Sequence, residues 1–209
     1  ALDLPARAMH CPTRSCPRKG KPRLLETESG LAVTARLCQW GMMTNHLYDG
    51  LMANADPARP CLERPDGQVY SYAGMAGGSG RAANALAALG VKPGDRVAVQ
   101  VEKSPMALML YLATVRLGAV FLPLNTAYTP AETAYFLEDA EPSLFVCDPA
   151  AEAALAPAAA KAGVRLVTLD ATGQGSMLEA LTGQPDGFET AARGPDDLAA
   201  ICYTSGTTG

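Results

Sequence analysis

The sequence has few charged residues and lacks a long apolar run that is free of charge. Of its 209 residues, 18% are charged and 48% are hydrophobic, which excludes a disordered or fibrous chain and allows a buried core. The apolar stretch 104–124 contains Arg116 and ends close to Pro123. Because a central arginine costs about 2.5–3.5 kcal/mol in a bilayer, this stretch predicts a buried helix and a following strand. We expect no contact with a membrane.

Cysteine spacings typical of metal sites are also missing. His10, Cys11 and Cys16 lie close together, but the two cysteines fit no common zinc spacing and no second pair follows. We therefore expect no metal site in the chain. The remaining cysteines past residue 43 are isolated, and two of them lie in apolar runs, which is typical of reduced, buried thiols in a cytoplasmic protein. They are Cys61, Cys147 and Cys202.

Residues 1–42 differ in charge from the rest of the chain. They hold seven basic and three acidic residues, which leaves ten basic and eighteen acidic residues for 43–209. Their prolines and weak periodicity predict a poorly ordered basic arm. The arm lacks the apolar segment of a secretory signal and the interleaved aromatics of a nucleic-acid-binding tail, so we expect no nucleic-acid partner. A transit peptide is one alternative; we favour a non-native leader with Met42 or Met43 as the true first residue.

From residue 69 the sequence alternates strand-like and helix-like stretches. Short β-branched runs predict strands, and longer apolar or alanine-rich stretches predict helices. Gly90 predicts the end of the first long helix, and Thr129 with Pro130 and Glu132 predicts a capping box at the start of a later one. This order predicts an α/β fold with a mostly parallel sheet and helices on both faces. The predicted strands are 69–72, 96–101, 119–122, 143–147 and 164–169, and the predicted helices are 73–89, 105–117, 130–139, 150–161 and 177–181.

A glycine-rich pattern at residues 78–83 imitates a dinucleotide-binding fingerprint. Gly78 and Gly80 fit the spacing GxGxxA, and Glu102 follows 22 residues after Gly80. The fingerprint, however, needs its first glycine directly after the strand, whereas five residues separate Tyr72 from Gly78. We therefore expect these glycines inside a helix, where small residues allow close packing.

The last seven residues, Tyr203–Gly209, have the pattern of a phosphate-binding loop. Four hydroxyl residues and two glycines follow the tyrosine, and glycine lets backbone amides approach an anion closely. The apolar run 198–203 predicts a buried strand that leads to a sheet edge, where α/β proteins commonly bind nucleotides. A Walker A loop is excluded, because Gly206 and Gly209 enclose two residues rather than four.

The string YTSGTTG resembles the phosphate loop of the adenylate-forming superfamily, which comprises acyl-CoA synthetases, peptide-synthetase adenylation domains and luciferases. Residues 70–73 and 116–125 resemble two further core motifs of this superfamily, and the three motifs follow the family's order. The resemblance begins near Asn45 and implies that residues 43–209 form an incomplete N-terminal AMP-binding domain. In the family the loop continues with a variable residue, Pro or Ser, Lys and Gly.

The resemblance also implies a two-step reaction. In the family a carboxylate attacks the α-phosphate of ATP to give an acyl-adenylate and pyrophosphate, and the thiol of coenzyme A then displaces AMP. Backbone amides and hydroxyls of the loop, helped by Mg²⁺, would hold the β and γ phosphates. The implied binding residues are Thr204, Ser205, Gly206, Thr207, Thr208 and Gly209.

Residues 96–132 look most like malonyl-CoA synthetases, which implies malonate as the acid, with ATP, Mg²⁺ and coenzyme A. The family's catalytic residues lie downstream of the loop, so we expect none in this chain and no activity from the 209 residues alone. A carrier-protein-loading adenylation domain and a non-catalytic truncated product are the alternatives. No feature of the sequence indicates which oligomeric state the protein has.

Several polar residues elsewhere have ordinary structural roles as their simplest interpretation. We expect Tyr203 to pack in the core at the end of a strand and Lys103 to be a solvated charge. No family motif assigns an arginine to the second carboxylate of malonate. We therefore expect surface or helix-end roles for Arg81, Arg96 and Arg116.

Overall fold

The structure, a computed structural model, describes residues 44–203, which are built around a parallel sheet of four strands in the order β4-β3-β5-β6. The strands are β1 (Pro60–Glu63), β2 (Val69–Ser71), β3 (Arg96–Gln100), β4 (Val120–Pro123), β5 (Leu144–Cys147) and β6 (Arg165–Thr168). The helices are α1 (His46–Met52), α2 (Tyr72–Ala88), α3 (Pro105–Arg116), α4 (Pro130–Ala140), α5 (Glu152–Lys161) and α6 (Ser176–Leu181). A 3-10 turn, Pro149–Ala151, precedes α5.

Strand β3 lies inside the sheet, between β4 and β5. Val97 pairs with Phe121 of β4 and with Leu144 of β5. Successive side chains of a strand point to opposite faces, and β3 is buried on both: Val97 and Val99 belong to one core cluster and Ala98 to another. Burial of both faces explains why this strand is an almost continuous apolar run in the sequence.

Helices cover both faces of the sheet. Residues of α2, α3 and α6 pack against Val97 and Val99, whereas residues of α4 and α5 pack on the face of Ala98. The prediction of an α/β fold with a parallel sheet and helices on both faces is confirmed. Among residues 44–203, no helix combines the length and the apolar character needed to cross a bilayer.

A smaller layer of α1 and the antiparallel hairpin β1–β2 adds a third cluster. Tyr48 of α1 and Met75 of α2 are buried there beside Met109 of α3. The sequence predicts β2 but misses α1 and β1. Helix α1 has only seven residues, too few for a periodic pattern. Prolines 57 and 65 flank β1 and Pro60 is its first residue, which disguises its strand character.

The glycines of α2 lie inside the helix, as predicted, because other parts of the chain approach it closely. A methyl group at Gly78 would overlap the Sδ atom of Met109, and one at Gly80 would overlap the backbone carbonyl of Asp186. Gly90 follows the helix with φ = 97°, a conformation that glycine adopts readily and that ends helices. The predicted end of this helix is thus confirmed.

Helix α4 begins with the predicted capping box. The Glu132 amide donates to the Thr129 hydroxyl at 3.3 Å, and the Thr129 amide donates to the Glu132 carboxylate at 2.8 Å. The bond from the Thr129 amide, together with that from its hydroxyl, lowers the pKa of Glu132 below its usual value. Both bonds satisfy groups that the first helical turn would otherwise leave without partners.

Candidate functional site

The segment that leads to the predicted phosphate loop lies along β4. The Phe121 amide donates to the Ala199 carbonyl at 2.9 Å, and the Ile201 amide donates to the Phe121 carbonyl at 3.0 Å, so the segment runs parallel to β4. The carboxyl ends of the parallel strands and of this segment therefore meet at one edge of the sheet. In open α/β sheets this edge is where ligands bind.

The prediction of a buried strand over 198–203 is wrong in two respects. The segment makes a single bridge to β4 rather than a strand, and Leu198 is 59% exposed. Cys202, which we expected to be a buried thiol, is exposed as well. In the part of the chain that the structure describes, the segment pairs on one side only; an apolar run in a sequence does not distinguish such an edge from a central strand.

Tyr203 is the last described residue of this segment, and its side chain contacts α4. Its ring packs on Phe136 with 4.5 Å between ring centroids, and its hydroxyl donates to the Asp139 carboxylate. Phe136 also packs against Tyr128, with ring centroids 4.9 Å apart. Burial, and then the bond to Asp139, raise the pKa of Tyr203 to about 12. Tyr203 packs against the core cluster on the α4 and α5 face of the sheet, as predicted, but it is only half-buried, and its hydroxyl is hydrogen-bonded.

The residues that the sequence predicts to bind phosphate lie outside the described residues. They are Thr204, Ser205, Gly206, Thr207, Thr208 and Gly209. The structure therefore describes residues 198–203, which lead to them, and the side-chain contacts of Tyr203, which directly precedes them.

An open cleft of about 340 Å³ lies at the carboxyl ends of β3 and β5. Gln100 lines this cleft but is only 4% exposed. Its amide nitrogen donates to the Asn125 carbonyl at 2.9 Å, and its amide oxygen accepts from the Thr133 hydroxyl at 3.3 Å. Gln100 thereby joins the loop after β4 to α4. Sequence reasoning missed this residue, although one glutamine within the run RVAVQV was a usable signal.

The three arginines that no sequence motif assigned to a substrate bind to groups of the chain itself. Arg116, at the end of α3, donates to the carbonyls of Ala76 at 2.9 Å and Phe188 at 3.0 Å and to the Thr190 hydroxyl at 3.1 Å. Arg96 donates to the Ala140 carbonyl at 2.6 Å, while an exposed ion pair of 2.9 Å joins Arg81 to Asp186. These are the helix-end and surface roles that we expected.

The remaining candidate groups are spread over the described part of the chain. Lys103 is exposed in a second open cleft of about 460 Å³, between the β1–β2 hairpin and the start of α3. Cys147 is buried in β5, and burial, followed by the charges of Glu152 and Asp148, raises its pKa to about 12. Within residues 44–203, no three His, Cys, Asp or Glu side chains are grouped closely enough to hold a metal ion. We therefore assign none of these residues to Mg²⁺.

Comparisons with known proteins give consistent matches. A family model described as AMP-binding enzyme matches residues 52–209. The 4-coumarate–CoA ligase 3 of Oryza sativa subsp. japonica is 35% identical over 155 residues, which are 73% of this chain and 28% of that protein.

Two solved structures of MatB from Rhodopseudomonas palustris superpose on the chain. The apo form has a TM-score of 0.75 and 49% identity and covers 80% of this chain and 34% of its own. The ATP-bound form has a TM-score of 0.76 and 50% identity, with coverage of 80% and 33%. The chain thus spans about a third of the length of the proteins that it matches. With the family model matching most of its length, this chain belongs to the AMP-binding enzyme family, within the adenylate-forming acyl-CoA synthetase superfamily.

Proposed function

We propose that this chain supplies the phosphate-binding part of an ATP-dependent acid–CoA ligase. In the first step an oxygen of the substrate carboxylate forms a bond to the α-phosphorus of ATP, and the bond to the pyrophosphate oxygen breaks. In the second step the sulfur of coenzyme A forms a thioester at the acyl carbon, and AMP leaves. The main electrostatic demand on the protein is the negative charge that collects on the departing pyrophosphate.

The residues that we propose for this charge are the hydroxyl residues and glycines after Tyr203. Hydroxyls of Thr204, Ser205, Thr207 and Thr208, and backbone amides of the segment, would donate hydrogen bonds to the β and γ phosphates. The observation that carries the proposal is the parallel pairing of Ala199 and Ile201 with Phe121. It directs the chain toward the carboxyl edge of the sheet, where an anion can be bound without blocking the core. The family match over 52–209 includes the same six residues.

We propose malonate as the acid and the cytoplasm as the location. The support for malonate is the resemblance of residues 96–132 to malonyl-CoA synthetases. Arg116, Arg96 and Arg81 contribute nothing to this choice, because they are engaged with carbonyls, a hydroxyl and a carboxylate of the chain itself. The free, buried thiol of Cys147 is consistent with a reducing compartment.

The coding sequence that follows Gly209 tests the assignment first. A variable residue, then Pro or Ser, Lys and Gly would continue the proposed loop, and any other continuation would contradict it. The protein encoded by the whole reading frame is then assayed for AMP release with ATP, Mg²⁺ and coenzyme A. Malonate, acetate and 4-coumarate are compared as acids. We expect AMP release to depend on malonate.

A matched pair of variants tests the site within that protein. Thr207→Val removes one proposed hydroxyl donor and should lower the first-step rate about 10- to 1,000-fold. Thr182→Val removes a hydroxyl whose one bond within residues 44–203 goes to the Leu178 carbonyl of α6, and it should leave the rate unchanged. Equal rates for both variants would contradict the assignment of the loop. Transfer of the acyl group to a carrier protein but not to coenzyme A would favour the adenylation-domain alternative.

A further inference from the structure

The backbone pairing between β4 and residues 198–203, here called the edge segment, loses one donor at Pro123. The amides of Val120 and Leu124 donate to Asp95 and Val99, on the side of β3, whereas the amide of Phe121 donates to Ala199 on the other side. By this alternation the next amide directed at the edge segment belongs to residue 123, opposite the carbonyl of Ile201. Proline has no N–H group, so residue 123 donates nothing to the edge segment.

The side chain of Tyr203 makes contacts beyond the position of the missing donor. Its ring contacts Phe136, which in turn contacts Tyr128, and its hydroxyl bonds to Asp139. Both Phe136 and Asp139 belong to α4, which is itself held in place. The capping box fixes its start, the Thr133 hydroxyl bonds to buried Gln100, and an ion pair of 2.6 Å joins Glu138 to Lys161 of α5.

We propose that Tyr203 is the positioning residue of the phosphate-binding segment: its side chain holds the end of the edge segment beyond the strand pairing that Pro123 interrupts. This inference rests on the proposed function, because it assigns this fixed end to the binding of phosphate. Glycine-rich segments have a large conformational freedom to lose on binding. A fixed starting point lowers that cost and strengthens binding.

Conservative variants of the full 209-residue chain test the proposal. Tyr203→Phe keeps the ring and removes the hydroxyl, and Asp139→Ala removes its acceptor. Isothermal titration with tripolyphosphate, and separately with ATP, should give affinities about five- to tenfold weaker for each single variant. Because both variants remove the same bond, the double variant should be no weaker than either one.

Tyr135→Phe is the matched control. Tyr135 lies on the same helix and is 62% exposed, so removal of its hydroxyl should change the affinity less than twofold. The unfolding temperature of Tyr203→Phe should equal that of the control, which separates positioning from a general loss of stability. Equal phosphate affinity of Tyr203→Phe and the wild-type chain would overturn the proposal.

Restoring the missing backbone donor gives a rescue test. In Pro123→Val, residue 123 regains an N–H group opposite the Ile201 carbonyl, so that the strand pairing can continue. We expect the combination of Pro123→Val with Tyr203→Phe to bind tripolyphosphate within about twofold of the wild-type chain. Affinity as weak as that of Tyr203→Phe alone would mean that the tyrosine does not substitute for the backbone pairing.

Backbone amide NMR separates failure of this inference from failure of the proposed function. Heteronuclear NOE values at Cys202 and Thr204 should fall in Tyr203→Phe and stay unchanged in Tyr135→Phe. If the wild-type chain binds neither tripolyphosphate nor ATP but these values fall, the proposed function fails while the anchoring by Tyr203 stands. If the values do not change, the positioning role is refuted whatever the binding result.

Discussion

The glycines at 78 and 80 allow two parts of the chain to approach α2 more closely than any side chain would permit. The neighbours are of different kinds: at Gly78 the thioether of Met109, and at Gly80 the backbone of Asp186. A flexible thioether can move, but a backbone carbonyl in a connected segment moves only with its neighbours. Gly80 is therefore the stricter requirement, and it outweighs the roughly 1 kcal/mol that glycine costs inside a helix.

Gly80→Ala should destabilise the chain although alanine favours helices. We expect the free energy of unfolding to fall by about 1–3 kcal/mol, because the Asp186 segment must move away. The measurement is urea unfolding followed by circular dichroism. Gly50→Ala in α1 is the matched control: nothing lies within 4 Å of its added methyl group, so it should be neutral or stabilising by up to about 1 kcal/mol.

The guanidinium of Arg116 joins α2, α3 and the segment around Phe188. It donates to four groups in different directions and lies 5.0 Å from the ring centroid of Tyr48. The single ammonium of lysine cannot reproduce this planar arrangement. Arg116→Lys should therefore lower the free energy of unfolding by about 2 kcal/mol in a urea titration, since backbone carbonyls lose their donors. Arg81→Lys, at an exposed ion pair, should change it by less than about 0.5 kcal/mol.

At the scale of single elements, α4 links the sheet to Tyr203, and its start is fixed by the capping box. Thr129→Ala removes one half of the box and should cost about 1 kcal/mol of unfolding free energy. Ser143→Ala is the control, because in the described part of the chain its hydroxyl makes a single long bond, of 3.4 Å, to the Arg96 carbonyl. A cost for Thr129→Ala no larger than for Ser143→Ala would show that the cap contributes nothing to stability.

The capping box also makes a pH-dependent contribution to stability. The pKa of Glu132 is lowered in the folded chain, so the contribution of its carboxylate is present above the unfolded pKa and is lost as the pH falls through the folded pKa. Glu132→Gln should therefore destabilise the chain at pH 7, and the difference from wild type should shrink as the carboxyl becomes protonated below about pH 4. Parallel urea titrations at the two pH values measure this. A difference that grows on acidification would contradict the sign.

The elements themselves were largely predictable from the sequence, because strands and helices of the sheet layers have the regular patterns that burial on one or two faces imposes. Contacts between distant residues were not predictable. The Gln100 side chain bonds to partners 25 and 33 residues away, and the bond from Tyr203 to Asp139 spans 64 residues. The exposed edge at 198–203 was missed for the same reason, since exposure depends on the order of strands in the sheet.

At the scale of the whole molecule, the 209 residues should fold but should not activate an acid. The superfamily resemblance implies that the loop lysine and the groups that bind adenine and ribose follow Gly209 in a complete enzyme. We expect no malonate-dependent pyrophosphate exchange and no hydroxamate formation by the purified chain. Cooperative urea unfolding of the same preparation is the control that shows a folded sample. Turnover by this preparation would disprove the expectation.

The thiols of Cys147 and Cys202 lie in different surroundings, so their rates of alkylation can report two different opening motions of the chain. Cys147 lies in β5 among side chains of α4 and α5, so an alkylating reagent reaches it only when the sheet comes apart. Cys202 is exposed on the edge segment and should react without any unfolding. In pulse labelling read out by peptide mass spectrometry, the slow modification of Cys147 would then report the global unfolding equilibrium. The fast modification of Cys202 would report local fluctuations of the edge segment that precedes the proposed phosphate-binding residues.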